Sequence, residues 1–108
     1  GEFSGLWEFP GGKIEPFETH HQALIREIHE ELNINVEPTH LLKTIQYQYP
    51  NFHLTMHLYA CTLADSKQPL LIEHRDMRWV KSNELDDIPW LPADIDAIAP
   101  LKNQLETK

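Results

Sequence analysis

Three glutamates in the first third of the chain are spaced so that their carboxylates share one side of a helix. At about 100° per residue, Glu27, Glu30 and Glu31 fall within roughly a quarter to a third of the helix circumference. Like charges at these spacings destabilise a helix, and carboxylates near a helix C-terminus oppose the macrodipole. Because this cluster works against its own helix in two ways, we expect a compensating cation to bind it.

The chemistry of the donors favours a hard divalent cation. A tight turn at Pro10-Gly11-Gly12 precedes the helix and can bring backbone carbonyls and amides close to a bound group. Oxygen ligands, without cysteine or a well-spaced histidine pair, select Mg²⁺ or Mn²⁺, and magnesium commonly bridges to substrate phosphates. The alternative, for Glu30 and Glu31 taken alone, is an ordinary solvated acidic face.

Local signals place this cluster on a helix that spans about residues 19 to 32. Thr19 and Gln22 form a capping-box pattern at its start. Asn33 follows the last periodic residue, and asparagine commonly replaces glycine at a left-handed helix end. The helix is predicted to pack through an apolar stripe of Leu24, Ile25, Ile28 and Leu32.

The other elements alternate between strands and helices. Strands are predicted at residues 6–9, 42–49, 53–63 and 77–81, with a hairpin turn at 49–51 and a short helical turn at 82–85. A second amphipathic helix is predicted from Ala93 to about Leu105, with a kink or break at Pro100. Strands interleaved with two helices predict a mixed sheet between helices.

Composition indicates one small folded domain over residues 1–108. The chain is 41% hydrophobic and carries a formal charge of -8, which disfavours stable binding to nucleic acid or to an anionic membrane. Cys61 lies in an apolar run and is predicted to belong to the core rather than to act as a nucleophile. No targeting signal, lipidation motif or long apolar span is visible, so we expect a soluble cytoplasmic protein of undetermined oligomeric state.

The glutamate cluster is part of a longer pattern that resembles the Nudix hydrolase box. Every fixed position is filled except one, where Asn33 stands in place of glycine and tolerates the same backbone conformation. The resemblance implies an α+β protein, a Nudix-type α/β/α sandwich with a mixed β-sheet. The matching positions are Gly12, Glu18, Arg26, Glu27, Ile28, Glu30, Glu31 and Ile34.

Members of this family usually begin with two strands ahead of the stretch that corresponds to residues 7–12. Two strands and a turn need roughly 15 to 25 residues, and only residues 1–5 precede Leu6. We therefore expect the domain to lack its N-terminal strands and to expose a sheet edge.

Further stretches resemble the MutT-like branch, which contains 8-oxo-dGTP diphosphatases and CTP pyrophosphohydrolases. They are residues 6–15, Glu73-His74 followed by Trp79, and residues 91–94. The resemblance implies metal-dependent hydrolysis of a nucleoside triphosphate at the internal phosphorus, releasing a monophosphate and pyrophosphate, with oxidised nucleotides such as 8-oxo-dGTP as substrates. Two alternatives stay open: a pyrophosphohydrolase of CTP, dCTP or modified pyrimidine nucleotides, and a noncatalytic nucleotide-binding Nudix-like module.

The resemblance assigns the metal chemistry to a small set of groups. The implied metal ligands are Glu27, Glu30 and Glu31 with the Gly12 carbonyl, and Glu73 approaches from a loop. The implied catalytic residues are the same four glutamates. Either Glu27, Glu30 or Glu73 would accept the proton of the attacking water, and the sequence does not choose between them.

Three residues are expected to support that site. Glu18 and Arg26 match box positions that orient the turn and the helix through charge-assisted hydrogen bonds. Lys13 is expected to meet phosphate oxygens, with a solvated lysine as the alternative.

Five positions are expected to contact the nucleoside. Phe9 and Tyr49 match residues that line the nucleobase pocket in the MutT-like branch, and Glu8 is assigned beside them. Leu54 packs there too, with ordinary sheet core as the alternative. Asp94 stands where MutT itself has an asparagine that reads the oxidised purine. A carboxylate only accepts hydrogen bonds unless it is protonated, and Asp94 could instead cap the last helix.

Overall fold

A computed structural model describes residues 5–70 and 76–106. Within them the chain forms helix α1 (His20–Leu32), strands β1 (Val36–Gln48) and β2 (His53–Leu63), a 3₁₀ helix (Ser82–Asp87), and helices α2 (Pro92–Ile95) and α3 (Ile98–Glu106). None of the described helices is long and apolar enough to cross a membrane.

Helix α1 forms where the sequence predicts it, and both of its ends are capped as expected. The Thr19 hydroxyl accepts the Gln22 N–H at 3.1 Å, and the Gln22 side chain accepts the Thr19 N–H at 2.9 Å. At the other end Asn33 is left-handed, with a φ of 54°, and its N–H closes the last turn. Ile28 is buried. Local caps and an apolar stripe together therefore define this helix.

Strands β1 and β2 form a two-stranded antiparallel hairpin with one apolar and one polar face. Ile45 and Leu58 are buried on the apolar face. On the polar face, 3.1 Å separates Thr44 Oγ1 from His57 Nδ1. The strand predicted at 42–49 is longer than expected, because β1 begins at Val36.

Two predicted strands do not form in the part of the chain that the structure describes. In the segment 6–9 only Trp7 pairs, through an isolated parallel bridge to Trp90 made by two backbone hydrogen bonds of 2.8 Å. Residues 77–81 are not in a strand. An alternating pattern becomes a strand only where a neighbouring edge pairs with it, and sequence pattern alone does not report that edge.

The final helical region consists of two helices rather than one. Helix α2 ends at Ile95 and α3 begins at Ile98, after a turn in which the Ala97 N–H donates to the Asp94 carbonyl at 3.0 Å. This short-range hydrogen bond tightens the backbone and interrupts the helix. Pro100 is the third residue of α3, where a backbone N–H has no partner within the helix. The predicted break at Pro100 is therefore wrong in position.

The chain divides into two compact units, which are described separately. The core unit contains residues 5–9, 41–59 and 79–106, and the box unit contains residues 10–40, 60–70 and 76–78. In the core unit a buried cluster is surrounded by partly buried side chains. The cluster is Ile45, Leu58 and Ala97, and the surrounding side chains are Phe9, Leu42, Met56 and Leu101.

Cys61, in the box unit, is not part of a core. Its side chain is exposed, as are the neighbouring positions at the end of β2. The prediction that Cys61 belongs to the core is wrong. The apolar run that contains it extends to the end of β2, where the strand residues are exposed.

Candidate active site

The loop ahead of helix α1 is held by a tight turn over residues 15–18. The Glu18 N–H donates to the Glu15 carbonyl at 3.1 Å, and the Glu18 carboxylate accepts the Glu15 N–H at 2.9 Å. Pro16 in the second position and a φ of 66° at Phe17 are features of a type II turn, whose third position favours glycine. The turn places the Glu18 carboxylate just before the start of the helix.

Arg26 connects this loop to the acidic side of α1. Its Nε and Nη2 donate to the two Glu18 oxygens at 2.7 and 3.0 Å, and Nη2 also donates to the Lys13 carbonyl at 2.9 Å. Its Nη1 donates to Glu27 at 2.8 Å and to Glu30 at 3.3 Å. The structure thus contains the charge-assisted hydrogen bonds that the sequence predicts between Glu18 and Arg26.

These contacts keep the charges of the box unit paired. The Arg26 hydrogen bond, followed by the Glu15 N–H, lowers the pKa of Glu18 to about 2. Glu18 and then Glu27 raise the pKa of Arg26 above its ordinary value. Arg26 is therefore a compensating cation for the acidic helix face, supplied by the protein itself. The spacing of the glutamates alone predicts a compensating cation, and part of that role falls to this arginine.

The three glutamates of α1 occupy different environments. Glu27 stands against the glycine turn: a Cβ added to Gly12 would lie 2.7 Å from Glu27 Oε1 and closer to two other carboxylate atoms. A side chain at residue 12 would therefore have to displace the Glu27 carboxylate, which Arg26 also holds. Glu31 is buried and accepts the Gly11 N–H at 3.3 Å. The side chain of Glu30 is 48% exposed. Two carboxylates therefore face the loop backbone, and the third is open to solvent.

These groups have the chemistry to hold a hard divalent cation. The glycine cradle leaves the Glu27 carboxylate directly beside loop backbone, and all of the donors are oxygens. Within residues 5–70 and 76–106, no three acidic, histidine or cysteine side chains are already gathered as a metal-binding group. Arg26 holds Glu27 and Glu30 on its Nη1. Glu73, the predicted loop glutamate, lies outside the described residues.

Asp94, in the core unit, is an acidic residue without such compensation. It is the third residue of α2 and is 4% exposed, and its carboxyl has no hydrogen-bond partner among the described residues. Burial, and then the negative charge of Glu8, raise the pKa of Asp94 to about 7. The N-cap of α2 is Leu91, so the alternative that Asp94 caps this helix is wrong.

The residues assigned to the nucleobase are partly used in packing the core unit. Phe9 stacks on Trp90 with ring centroids 4.4 Å apart. Tyr49 is buried, and its hydroxyl accepts the Ala93 N–H at 3.2 Å, one residue before Asp94. Leu54 is half-buried in β2. Glu8, Phe9, Tyr49, Leu54 and Asp94 all belong to this one unit.

Sequence reasoning missed two residues of these sites. Glu15 lies 3.6 Å from Arg26 Nη1 and supplies the carbonyl of the turn; the proline that follows it is a signal for a turn at this position. Trp90 supports Phe9, and its proximity to the Leu-Pro-Ala-Asp stretch was the available clue. The Lys13 side chain is exposed, and it is the Lys13 carbonyl that Arg26 uses.

A comparison with known protein families identifies the family of this chain. A family model of the NUDIX domain matches residues 1–99. The chain belongs to the Nudix hydrolase family. Its fold is accordingly the Nudix-type α+β fold, and helix α1 with its preceding loop is the Nudix box.

Three curated relatives show what this Nudix domain is similar to. It is 47% identical over 58 residues to the 8-oxo-dGTP diphosphatase of Proteus vulgaris, a match that covers 54% of this chain and 52% of the relative. It is 36% identical over 97 residues to the Escherichia coli 8-oxo-dGTP diphosphatase, covering 88% and 73%. It is 38% identical over 93 residues to the Escherichia coli CTP pyrophosphohydrolase, covering 85% and 67%. The first match thus spans about half of that relative's length.

A solved structure agrees with this assignment. The solution structure of the Escherichia coli ORF135 protein superposes with a TM-score of 0.77 at 32% sequence identity, covering 96% of this chain and 74% of that one. The solution structure of a MutT protein of the Nudix hydrolase family from methicillin-resistant Staphylococcus aureus superposes with a TM-score of 0.71 at 40% identity, covering 91% of this chain and 75% of that one, so the Nudix fold is supported by sequence and by structure together.

Proposed function

We propose that this Nudix domain hydrolyses nucleoside triphosphates to a monophosphate and pyrophosphate with the help of Mg²⁺, and that it acts on oxidised nucleotides such as 8-oxo-dGTP. The observation that carries the proposal is the packing of the Glu27 carboxylate directly against Gly12, in space that a Cβ at residue 12 would take. Relatives named 8-oxo-dGTP diphosphatase support the reaction and the substrate. Because such an activity acts on free nucleotides, we propose that the protein is cytoplasmic.

The proposed metal ligands are the carboxylates of Glu27, Glu30 and Glu31 with the carbonyl of Gly12, and Glu73 joins them from its loop. When bound, Mg²⁺ or Mn²⁺ neutralises charge on the phosphate chain and lowers the pKa of the attacking water. Glu31 is already fixed by the Gly11 N–H. This hydrogen bond sets the distance between the helix and the loop before any ligand arrives.

Proton transfer falls to a glutamate of the same group. Glu27 is held in place by Arg26 and by the glycine cradle, whereas Glu30 is half exposed and can reach a water molecule. Glu27, Glu30 and Glu73 are the candidates for the general base. The exposed ammonium group of Lys13, in the adjoining loop, is available to phosphate oxygens.

The nucleobase is proposed to contact Asp94 with Glu8, Phe9, Tyr49 and Leu54. A buried carboxyl with a pKa of about 7 is protonated in a large fraction of molecules near neutral pH. The protonated form both donates and accepts a hydrogen bond, as an asparagine does. This property supports the reading of an oxidised purine.

A second candidate substrate class is CTP, dCTP or a modified pyrimidine nucleotide. The 38% identity to the Escherichia coli CTP pyrophosphohydrolase supports it, as does the carboxylate at Asp94. A noncatalytic nucleotide-binding module is the third alternative, and the intact set of carboxylates on α1 counts against it.

The test is an assay of pyrophosphate and monophosphate release with Mg²⁺ and a panel containing 8-oxo-dGTP, dGTP, CTP, dCTP and methylated pyrimidine nucleotides. Glu30→Gln should abolish turnover and leave the circular dichroism spectrum unchanged. Glu15→Gln is the matched control, because Glu15 also lies near Arg26 Nη1 but is 63% exposed and is not a proposed ligand.

The outcomes separate the alternatives. Release from 8-oxo-dGTP in preference to the pyrimidine nucleotides supports the proposal, and the reverse preference supports the second candidate. Binding of nucleotide without release of product would favour the noncatalytic module. Full activity of Glu30→Gln would show that the metal site is misplaced.

A further inference from the structure

The Arg26 guanidinium presents two edges that make different kinds of contact. One edge, Nε and Nη2, forms a bidentate pair with Glu18 at 2.7 and 3.0 Å. The other, Nη1, makes single hydrogen bonds to Glu27 at 2.8 Å and Glu30 at 3.3 Å. Bidentate arginine–carboxylate pairs are stronger and geometrically more fixed than single bonds. The two edges are therefore held unequally.

The weaker edge holds the carboxylates that the proposed metal site needs. Glu27 and Glu30 cannot direct the same oxygens to Nη1 and to a divalent cation at full strength, because two cations a few ångströms apart repel each other at the effective dielectric of a protein surface. Either Arg26 Nη1 leaves these carboxylates or the metal ion does not bind them. The acidic face of α1 is thus a site for which two cations compete.

We propose that Arg26 acts as an internal counter-cation that is displaced in part when the metal binds. Its Nη1 releases Glu27 and Glu30, while Nε and Nη2 stay on Glu18. This inference rests on the proposed metal dependence, and it assigns to Arg26 a role in setting metal affinity in addition to orienting the loop.

The surroundings of the two edges support a partial rather than a complete displacement. Glu18 is itself fixed by the Glu15 N–H at 2.9 Å, and its side chain is only 15% exposed. Arg26 Nη2 is held a second time by the Lys13 carbonyl at 2.9 Å. Glu30 is half exposed and has the longest bond to the guanidinium, so it is the first partner to be released.

The arrangement has a consequence for the metal-free protein. With Nη1 on Glu27 and Glu30, the helix keeps its repelling carboxylates neutralised and the loop stays attached through Glu18. The box unit is then folded before metal arrives. Part of the free energy of metal binding is used to displace Nη1, which lowers the apparent affinity.

Arginine side-chain NMR of the wild-type protein tests the displacement directly. During titration with Mg²⁺ alone at low temperature, the Arg26 Nη1 protons should shift and exchange faster with water, whereas the Nε–Hε signal should stay near its metal-free position. A purely structural arginine would show neither change. Saturable heat in a parallel calorimetric titration would establish that Mg²⁺ binds.

A pair of matched variants tests the competition. Arg26→Gln removes the competing guanidinium, and Arg78→Gln removes the same charge from an exposed arginine of the box unit. Calorimetry should give a Kd for Mg²⁺ that is roughly three- to tenfold lower in Arg26→Gln than in Arg78→Gln, about the net value of one typical hydrogen bond.

The outcomes distinguish this inference from the proposed function. Saturable Mg²⁺ binding with unmoved Nη1 signals, or with equal or weaker affinity in Arg26→Gln, overturns the inference and leaves the metal dependence intact. A wild-type protein that shows no saturable Mg²⁺ binding overturns both. If Arg26→Gln does not fold by circular dichroism, the NMR titration of the wild-type protein decides the question alone.

Discussion

The pKa values of acidic residues are shifted in opposite directions in the two units of the protein. In the box unit the Glu18 carboxylate lies in the fork of Arg26, and its pKa falls to about 2. In the core unit Asp94 is buried, and this burial, followed by the negative charge of Glu8, raises its pKa to about 7. Glu18 lies close to more carboxylates than Asp94 does, yet Glu18 ionises more readily.

This difference shows that the number of neighbouring carboxylates does not decide the charge state of an acid. What decides it is whether the fold supplies a positive donor at hydrogen-bonding distance or removes water without replacing it. The box unit does the first and the core unit does the second. Charge is therefore kept on Glu18, beside the proposed metal ligands, and a removable proton is kept on Asp94, at the proposed nucleobase site.

The largest expected effect on stability comes from Arg26→Gln, which would remove the positive charge that compensates the carboxylates of the box unit. The variant leaves Glu18, Glu27 and Glu30 without their shared donor, so its melting temperature at neutral pH should fall further below the wild type than that of any other variant here. The low pKa of Glu18 in the folded state means that the pair stabilises the protein above about pH 4.5 and that this contribution is lost as the pH falls toward about 2.

The measurement is the difference in melting temperature between wild type and Arg26→Gln across that acidic range. It should shrink as the pH falls. A difference that is independent of pH would mean that Arg26 acts through packing of its side chain rather than through charge. Arg78→Gln serves as the control for the loss of one positive charge.

The second-largest expected effect is a gain in the free energy of unfolding, from Asp94→Asn in the core unit. The folded-state pKa of Asp94 is raised from 3.8 to about 7, so the unfolded state ionises first and the carboxyl destabilises the protein increasingly as the pH rises through this range. Asparagine removes that charge. Urea unfolding above pH 7 should show a gain of about 1 to 3 kcal/mol, less than the full shift implies because water near Glu8 screens part of the interaction.

Near pH 3.8 the same substitution should change the unfolding free energy very little, because the carboxyl is then protonated in the folded state. Asp96→Asn is the control, since Asp96 is exposed and follows α2 directly. Equal effects of the two substitutions would contradict the assignment of the pH dependence to Asp94.

The smallest effect concerns backbone strain rather than charge. Phe17 has a φ of 66° and a fully exposed side chain, so Phe17→Gly removes a strained conformation without removing any packing. We expect a gain of about 1 kcal/mol in the free energy of unfolding. Asn33→Gly is the matched control at the other left-handed position and should be close to neutral, because asparagine tolerates φ 54°. A loss of stability in Phe17→Gly would show that the phenylalanine makes a contact in solution.

Helix α1 shows how far local sequence signals reach. Thr19, Gln22 and Asn33 act on backbone groups within one turn of themselves, so the helix bounds could be predicted without knowing the rest of the fold. The Glu18–Arg26 pair could be predicted from the box pattern. The strand predicted at 77–81 is wrong, since a strand depends on a partner that is distant in sequence and that local signals do not report.

The sequence by itself determined the capped acidic helix, the glycine turn before it and membership of the Nudix family, because these depend on residue types at short, fixed offsets. Tertiary structure alone decided that Arg26 Nη1 holds Glu27 and Glu30, that the last helix breaks at Ala97, and that the Asp94 carboxyl is buried with no hydrogen-bond partner in the described part of the chain. Burial and hydrogen-bond partnership arise from groups brought together across the chain, and they set the charge of each carboxyl.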